Sequence, residues 1–171
     1  MRRQTTTAVT AFVAMEPAAY AAHRFVMHKV GWALHRSHHV RSAKLLEAND
    51  AFPTTFAALA VTTAALASRH RSLRRLKAVV AGVTAYGAAY GFVHDGYIHA
   101  RFGHLPPVRP LEYLKQAHRL HHLFGGEPYG MLFPVVPAAV RQRAARLEGA
   151  GRLGASLDRG PAARGTPSEA A

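Results

Sequence analysis

Residues 23–39, HRFVMHKVGWALHRSHH, gather five histidines into seventeen positions, and the spacing of these histidines decides the fold. An H-x4-H pair precedes an H-x2-H-H group, in the order His23, His28, His35, His38 and His39. Residues three and four apart share one face of an α-helix, so the H-x2-H-H histidines can converge. His28 lies two turns before His35 on nearly the same stripe, whereas His23 is offset by five positions and lies further around the helix. The stretch therefore predicts a helical face that can bind metal.

The same order of histidines returns later in the chain, at His94, His99, His118, His121 and His122. Ten of the twelve histidines thus belong to one duplicated pattern. Chance would produce two such H-x2-H-H groups on the order of once in several hundred shuffles. His70 and His104 fall outside the pattern, and we expect neither of them to be a ligand.

Histidine and carboxylate side chains must bind any metal, because the chain has no cysteine that could supply a thiolate. Neutral imidazole suits iron, zinc, copper and nickel. A single zinc ion takes only three or four ligands, so the ten histidines are too many for one ion. Two ions with about five nitrogens each would use all ten and leave an open octahedral position for oxygen or water. The sequence therefore predicts a di-metal site with these ten histidines as candidate ligands.

The sequence allows more than one role for three carboxylates near the histidines. Glu16 lies seven residues before His23, where it could orient a histidine, or it could simply open a helix together with Pro17. Asp50 and Asp95 could each accept a hydrogen bond from a histidine, cap a helix or do neither.

Several apolar stretches predict helices that cross a membrane. They run over about residues 5–22, 51–68, 78–93 and, more weakly, 130–140. A spanning helix needs about 20 mostly apolar residues, and these stretches lack the polar stripe of an amphipathic helix. Gly82, Gly87 and Gly91 would let such helices approach closely. We therefore expect an all-α, membrane-embedded small helical bundle with three to four transmembrane helices; the alternative is a soluble helical bundle.

The basic connector RHRSLRRLK, residues 69–77, predicts a turn at headgroup level between two antiparallel helices. With this turn on one side of the membrane, both histidine groups lie on the other. The histidine side carries more basic residues by number, which favours the cytoplasm: Arg24, Lys29, Arg36, Arg41, Lys44, Arg101, Arg109, Lys115 and Arg119. The formal net charge of +13 suits phospholipid headgroups, and no nucleic-acid-binding module is recognisable.

Both ends of the chain have a distinct composition. The first residues, with a basic start and the motif AYAA, are similar to a signal peptide, but we expect an uncleaved membrane segment because cleavage would leave His23 at the new terminus. The last residues are rich in Ala, Gly, Arg, Ser and Pro. We expect one membrane domain over residues 1–147 and a disordered basic tail over residues 148–171.

The segments HRFVMH, HRSHH, HDGYIH and HRLHH resemble the four histidine boxes of bacterial β-carotene hydroxylases, in the membrane fatty acid hydroxylase superfamily. The neighbouring segments EAND, TAYGAAYGFVHDG and EYLKQAHRLHH add to the resemblance, which covers roughly residues 12–137. It implies a non-haem di-iron monooxygenase in which the ten box histidines bind two Fe²⁺ ions and O2 is the co-substrate. β-Carotene would be hydroxylated at carbon 3 of its rings, giving β-cryptoxanthin and then zeaxanthin.

The resemblance also implies a ferredoxin-type electron donor with its reductase, and a place in the bacterial inner membrane with the histidines facing the cytoplasm. Gly82, Gly87, Gly91 and Ala88 could line a channel for the polyene, although helix packing is the preferred interpretation. Two other functions stay open: hydroxylation or desaturation of another membrane lipid, such as a fatty acid or sterol, and metal transport by a histidine-rich membrane protein.

Overall fold

The structure, a computed structural model, describes residues 2–40 and 46–151, and within these ranges it has helices and no strands. The six α-helices are α1 Arg2–Ala21, α2 Trp32–His39, α3 Ala51–Arg69, α4 Leu76–Gly91, α5 Arg109–Phe124 and α6 Ala138–Gly149. The predicted all-α fold is confirmed. Arg41, Lys44 and residues 152–171 of the predicted tail lie outside the described residues, and the domain boundary near residue 147 stays a prediction.

Helices α1 and α4 run side by side in the same direction. At Gly82 the two backbones are so close that a Cβ atom would overlap the carbonyl oxygen of Ala8. Further along, the rings of Phe12 and Tyr86 pack edge to face with centroids 5.6 Å apart. The close approach agrees with the packing role expected for small residues, but a Cβ on Gly87 would meet nothing within 4 Å. This parallel pairing brings the C-terminal ends of both helices, where the H-x4-H pairs lie, to one edge of the bundle.

Two helices are long and apolar enough to cross a membrane, Ala48–Arg69 and Leu76–Ile98. The most apolar window of the first is only 6% buried and that of the second 17%. A core helix of a soluble protein would be largely covered by its neighbours, so these bare apolar surfaces favour contact with lipid. Helix α1 reaches a spanning length, but Arg2, Arg3 and Glu16 make it less apolar than the other two.

Residues 130–137, the weakest of the predicted spans, have no helix, and α6 begins only at Ala138. Pro134 and Pro137 lack the backbone N–H that a helix requires in its interior. The segment instead folds back onto α1, where Glu16 accepts hydrogen bonds from the backbone of Met131 and Phe133 at 2.9 and 3.1 Å. It therefore packs against α1 and forms no spanning helix.

Candidate metal centre

The H-x4-H pairs lie at two π-helical segments: His23 and His28 lie within Ala22–Val30 after α1, and His94 lies within Phe92–Ile98 after α4, with His99 directly following that segment. Each π-helical turn closes a hydrogen bond five residues back, as the His99 N–H does to the His94 carbonyl oxygen at 3.0 Å. Residues five apart therefore lie one above the other, and the ring centroids of His94 and His99 are 4.7 Å apart. The expectation that His23 lies further around the helix from His28 was wrong, since their centroids are 5.0 Å apart.

Nine of the ten predicted histidines form two groups, and within each group the candidate ligand atoms all lie within 4.8 Å of one another. The first group is His23, His28, His35, His39 and His121; the second group is His38, His94, His99 and His118. Each H-x2-H-H motif contributes to both groups, because the helix face that carries it lies between the two groups. The predicted convergence of the two halves of the pattern is therefore seen, and the two groups interlock through α2 and α5.

Hydrogen bonds at Nδ1 fix how the rings of the first group are oriented. The Nδ1–H of His23 donates to the carbonyl oxygen of Tyr129 at 3.0 Å, and that of His35 donates to Oδ1 of Asn49 at 2.7 Å. A neutral imidazole carries one proton, so the Nε2 atom of each ring has only a lone pair. These two Nε2 atoms are 3.1 Å apart. Two lone pairs at that distance repel each other unless a cation lies between them.

His121 shows the same arrangement on α5. Its Nδ1–H donates to the carbonyl oxygen of Gly126 at 2.6 Å, and its Nε2 atom is 3.1 Å from Nε2 of His28. Backbone carbonyls and amide oxygens are common partners for the second nitrogen of a metal-binding histidine, because they fix the tautomer and the ring orientation. The first group is therefore prepared to present Nε2 lone pairs to one ion.

Carboxylates replace carbonyls as acceptors in the second group. The Nδ1–H of His94 donates to Asp95 at 2.9 Å, and Nδ1 of His38 lies 3.4 Å from Oε2 of Glu47. Nε2 of His38 is buried and has no hydrogen-bond partner within the described residues. A buried polar atom without a partner is costly, and a metal ion would satisfy it. The second group therefore also directs unshared lone pairs inward.

The spacing between ligand atoms fits a metal ion. With metal–nitrogen bonds of about 2.1 Å, two ligands at right angles are about 3.0 Å apart. Four pairs of Nε2 atoms lie at 3.0–3.1 Å: His23–His35, His28–His121, His35–His39 and His99–His118. The residues that are present thus fit a histidine-bound metal in both groups.

Burial lowers the pKa of several of these histidines and keeps them neutral. It lowers the pKa of His39 to about 2, assisted by the neighbouring His35 and His28, and it lowers the pKa of His99 to about 3. The pKa values of His38, His118, His121 and His122 are likewise held well below 6.5, mainly by burial. Metal ions bind the unprotonated ring, so no proton has to be displaced at neutral pH.

His122, the tenth predicted ligand, lies between the two groups. Its ring stacks on His39 of the first group with centroids 4.3 Å apart, and it lies 4.5 Å from His118 and 4.8 Å from His38 of the second. Its Nε2 atom is buried and has no hydrogen-bond partner in the described part of the chain. His70 and His104 belong to neither group, and both are exposed.

The three carboxylates that the sequence left open have different roles. Asp95 orients His94, whereas Asp50 accepts a hydrogen bond from the backbone N–H of Glu47 at 2.9 Å. Within the described residues, Glu16 has no hydrogen bond or ion pair with a histidine. It holds residues 131–133 and accepts a hydrogen bond from the Tyr86 hydroxyl at 2.7 Å.

Residues 126–133, which we call the strap, are a functional element that sequence reasoning missed. The strap supplies the carbonyls of Gly126 and Tyr129 that orient His121 and His23. It is tied down at Glu127, which accepts hydrogen bonds from Tyr20 at 2.5 Å and Arg24 at 3.1 Å. Backbone carbonyls leave no mark in a sequence. Glu47 and Asn49 were also missed as histidine partners, although both lie in the segment EAND.

Comparisons with known proteins agree with this site. The fatty acid hydroxylase family matches residues 8–139. The chain belongs to this family. A β-carotene hydroxylase of Pantoea ananas is 36% identical over 152 residues, which are 85% of this chain and 85% of that protein. A β-carotene hydroxylase of Paracoccus sp. (strain PC1) is 35% identical over 133 residues, 76% of this chain and 81% of that protein.

A chloroplastic β-carotene 3-hydroxylase 2 of Arabidopsis thaliana is 38% identical over 130 residues, 72% of this chain and 43% of that protein. No solved structure shows significant similarity to the chain. The resemblance inferred from the histidine boxes is confirmed, and the family makes the chain an oxidoreductase. Together with the histidine groups and the two bare apolar helices, it indicates a membrane protein with a metal centre.

Proposed function

We propose that the chain hydroxylates the β-ionone rings of carotenoids at carbon 3 and converts β-carotene to β-cryptoxanthin and then to zeaxanthin. The relatives named as β-carotene hydroxylases cover most of the chain at 35–36% identity, which supports this substrate. The observation that carries the proposal is the pair of adjacent histidine groups, in which His23, His35 and His121 direct Nε2 lone pairs at neighbouring Nε2 atoms.

The metal that suits this activity is iron, as two Fe²⁺ ions with O2 as co-substrate. All ten histidines of the two motifs are the proposed ligands: His23, His28, His35, His38, His39, His94, His99, His118, His121 and His122. When bound, the two irons supply the oxidising power that breaking an unactivated C–H bond requires, which no acid or base on the chain can provide. The balanced reaction joins RH, O2, two electrons and two protons to give ROH and water. A ferredoxin-type donor and its reductase are the proposed source of electrons.

The contribution of the chain itself is orientation and the exclusion of water. The acceptors at Nδ1 hold the imidazole rings in one tautomer with Nε2 directed inward. Aromatic rings cover the first group: the ring of Tyr129 lies 5.0 Å from His28, and the ring of Trp32 lies 5.3 Å from His39. Excluding water from the site prevents side reactions of the oxidant with solvent.

The same geometry supports a proposed placement in the membrane. We propose that α3 and α4 cross the bacterial inner membrane and that the histidine edge faces the cytoplasm. The basic residues 69–77 lie at the other end of the α3–α4 hairpin. On the histidine side, Arg24, Lys29 and Arg36 are exposed, as positive residues at a cytoplasmic surface are expected to be. A carotenoid would reach the site from the lipid, in which it is soluble.

Expression in bacteria that accumulate β-carotene, with pigment chromatography, tests the proposal. The wild-type chain should produce β-cryptoxanthin and zeaxanthin, and His121→Ala should produce neither. His104→Ala, at an exposed histidine of neither group, is the matched control and should behave as wild type. Unchanged β-carotene with a wild-type protein that binds iron would refute the substrate and point to another membrane lipid. Stoichiometric zinc without iron would point to metal transport.

A further inference from the structure

We propose that Arg101 is a positioning residue for both histidine groups, because its side chain fixes the turn at residues 47–50 that orients one histidine of each. Arg101 lies in the connection between the π-helical end of α4 and α5, outside every histidine motif. The inference rests on the proposed metal centre, but it does not depend on which molecule is oxidised.

The turn at residues 47–50 reaches both groups at once. Asn49 accepts the Nδ1–H of His35 in the first group at 2.7 Å. Glu47, two residues earlier, lies 3.4 Å from Nδ1 of His38 in the second group. A shift of this short turn would therefore disturb the acceptors of two histidines that belong to different groups.

The turn is stabilised by a capping box between Glu47 and Asp50 and by contacts with the Arg101 side chain. The Glu47 N–H donates to Asp50 at 2.9 Å, which closes the turn. Arg101 donates through Nη1 to the other Asp50 oxygen at 2.9 Å, and its Nη2 lies 3.5 Å from Oε2 of Glu47. The same Glu47 oxygen faces His38, so the guanidinium fixes the atom that orients the ring.

The backbone of Arg101 adds a third connection. Its N–H donates to the carbonyl oxygen of Asp95 at 2.9 Å, and the Asp95 carboxylate accepts the Nδ1–H of His94. Arg101 thus joins the turn to the end of α4. Its side chain is only 15% exposed and is engaged with two carboxylates, which does not suit a headgroup-binding residue.

A planar guanidinium can bond two carboxylates in a fixed geometry, whereas the ammonium of lysine is a single point charge. Loss of Arg101 would leave Glu47 and Asp50 as neighbouring, partly buried negative charges that repel each other. Glu47 would then turn towards solvent, and His38 would lose the acceptor that keeps its proton on Nδ1. A proton that moves to Nε2 blocks metal binding, so the loss should appear in metal affinity.

Metal titration of the purified, metal-free protein in detergent tests the inference, with Co²⁺ as a spectroscopic probe and a competing chelator. Wild type should bind two ions. Arg101→Gln should weaken both by about 10- to 100-fold, the usual effect of removing a partner of a metal-binding histidine. Arg101→Lys should recover part of the loss. Arg109→Gln, at an exposed arginine at the start of α5, is the control and should match wild type.

Two further variants show which contact carries the effect of Arg101 to each metal ion. Asn49→Ala should weaken one of the two ions, Glu47→Gln should weaken the other, and only Arg101→Gln should weaken both. Unchanged affinity for both ions in Arg101→Gln, whatever its thermal stability, would overturn the proposal, and so would an effect on a single ion. Should Arg101→Gln fail to fold, the affinities of Arg101→Lys and Asp50→Asn for the two ions test the proposal in the same way. A wild type that binds two ions but leaves β-carotene unchanged refutes only the proposed function.

Discussion

Glu16 accepts four hydrogen bonds, three from the strap and one from Tyr86, and replacing it tests whether the strap organises the histidine edge. One carboxylate oxygen accepts from the backbone N–H groups of Met131 and Phe133 at 2.9 and 3.1 Å. The other accepts from the N–H of Leu132 at 3.2 Å and from the Tyr86 hydroxyl at 2.7 Å. Glu16→Gln keeps the shape but turns one acceptor oxygen into a donor amide that faces two donors.

The cost can be worked out from these contacts. Two hydrogen bonds to a charged acceptor are lost, at about 1.5–3 kcal/mol each, and the remaining two become weaker. We expect a loss of about 3–6 kcal/mol in the free energy of unfolding. Tyr86→Phe removes one of these four bonds to the carboxylate and should cost about 1.5–3 kcal/mol. Both variants are measured by denaturant titration of the metal-free protein in detergent.

The same substitution should also weaken metal binding, since the strap carries the carbonyls that orient His23 and His121. Bound metal per chain should therefore fall in Glu16→Gln. Glu148→Gln, at an exposed glutamate of α6, is the matched control and should leave both stability and metal content unchanged. A loss below about 1 kcal/mol in Glu16→Gln, together with full metal content, would refute the role of the strap.

The remaining predictions concern helix packing, ring orientation and pH. Gly82→Val should destabilise by several kcal/mol because its side chain would collide with the Ala8 backbone, whereas Gly87→Val, with nothing within 4 Å, should be close to neutral; equal thermal stability of the two variants would contradict this packing. Asp95→Asn should weaken binding of one metal ion about 10- to 100-fold in a chelator competition, because His94 loses its charged acceptor, and unchanged affinity for both ions would count against that role. The metal-free protein should lose stability as the pH falls from 7 to 5, because histidines in the unfolded chain take up protons near pH 6.5 whereas the pKa of His39 in the folded chain is about 2. The expected loss is about 2 kcal/mol in the free energy of unfolding for each such histidine. A free energy of unfolding that stays constant over that pH range would contradict this prediction.

The sequence indicated candidate ligands because metal chemistry restricts ligands to few residue types. Ten histidines in a repeated order could hardly serve another purpose, and the structure brings nine of them into two groups and places His122 between these. The parallel approach of α1 and α4 was anticipated in part by Gly82. The spacing of H-x4-H was the missing clue to the π-helical turns, since a five-residue step matches their hydrogen bonding and not that of an α-helix.

Other features of the site could not be read from the sequence. The strap acts through backbone carbonyls, and Arg101 acts through contacts with residues about fifty positions away, so neither follows a local pattern. The role of Glu16 is one such feature: it makes α1 less apolar than α3 and α4, and it accepts hydrogen bonds from the strap and Tyr86. The division of each H-x2-H-H motif between two groups depends on how α2 and α5 face each other.

X-ray absorption at the iron edge, combined with metal analysis of the purified protein, tests the central claim most directly. The account predicts two irons per chain, each surrounded mainly by imidazole nitrogens at about 2.1 Å. A single iron per chain, or two irons bound mainly by oxygen, would contradict it.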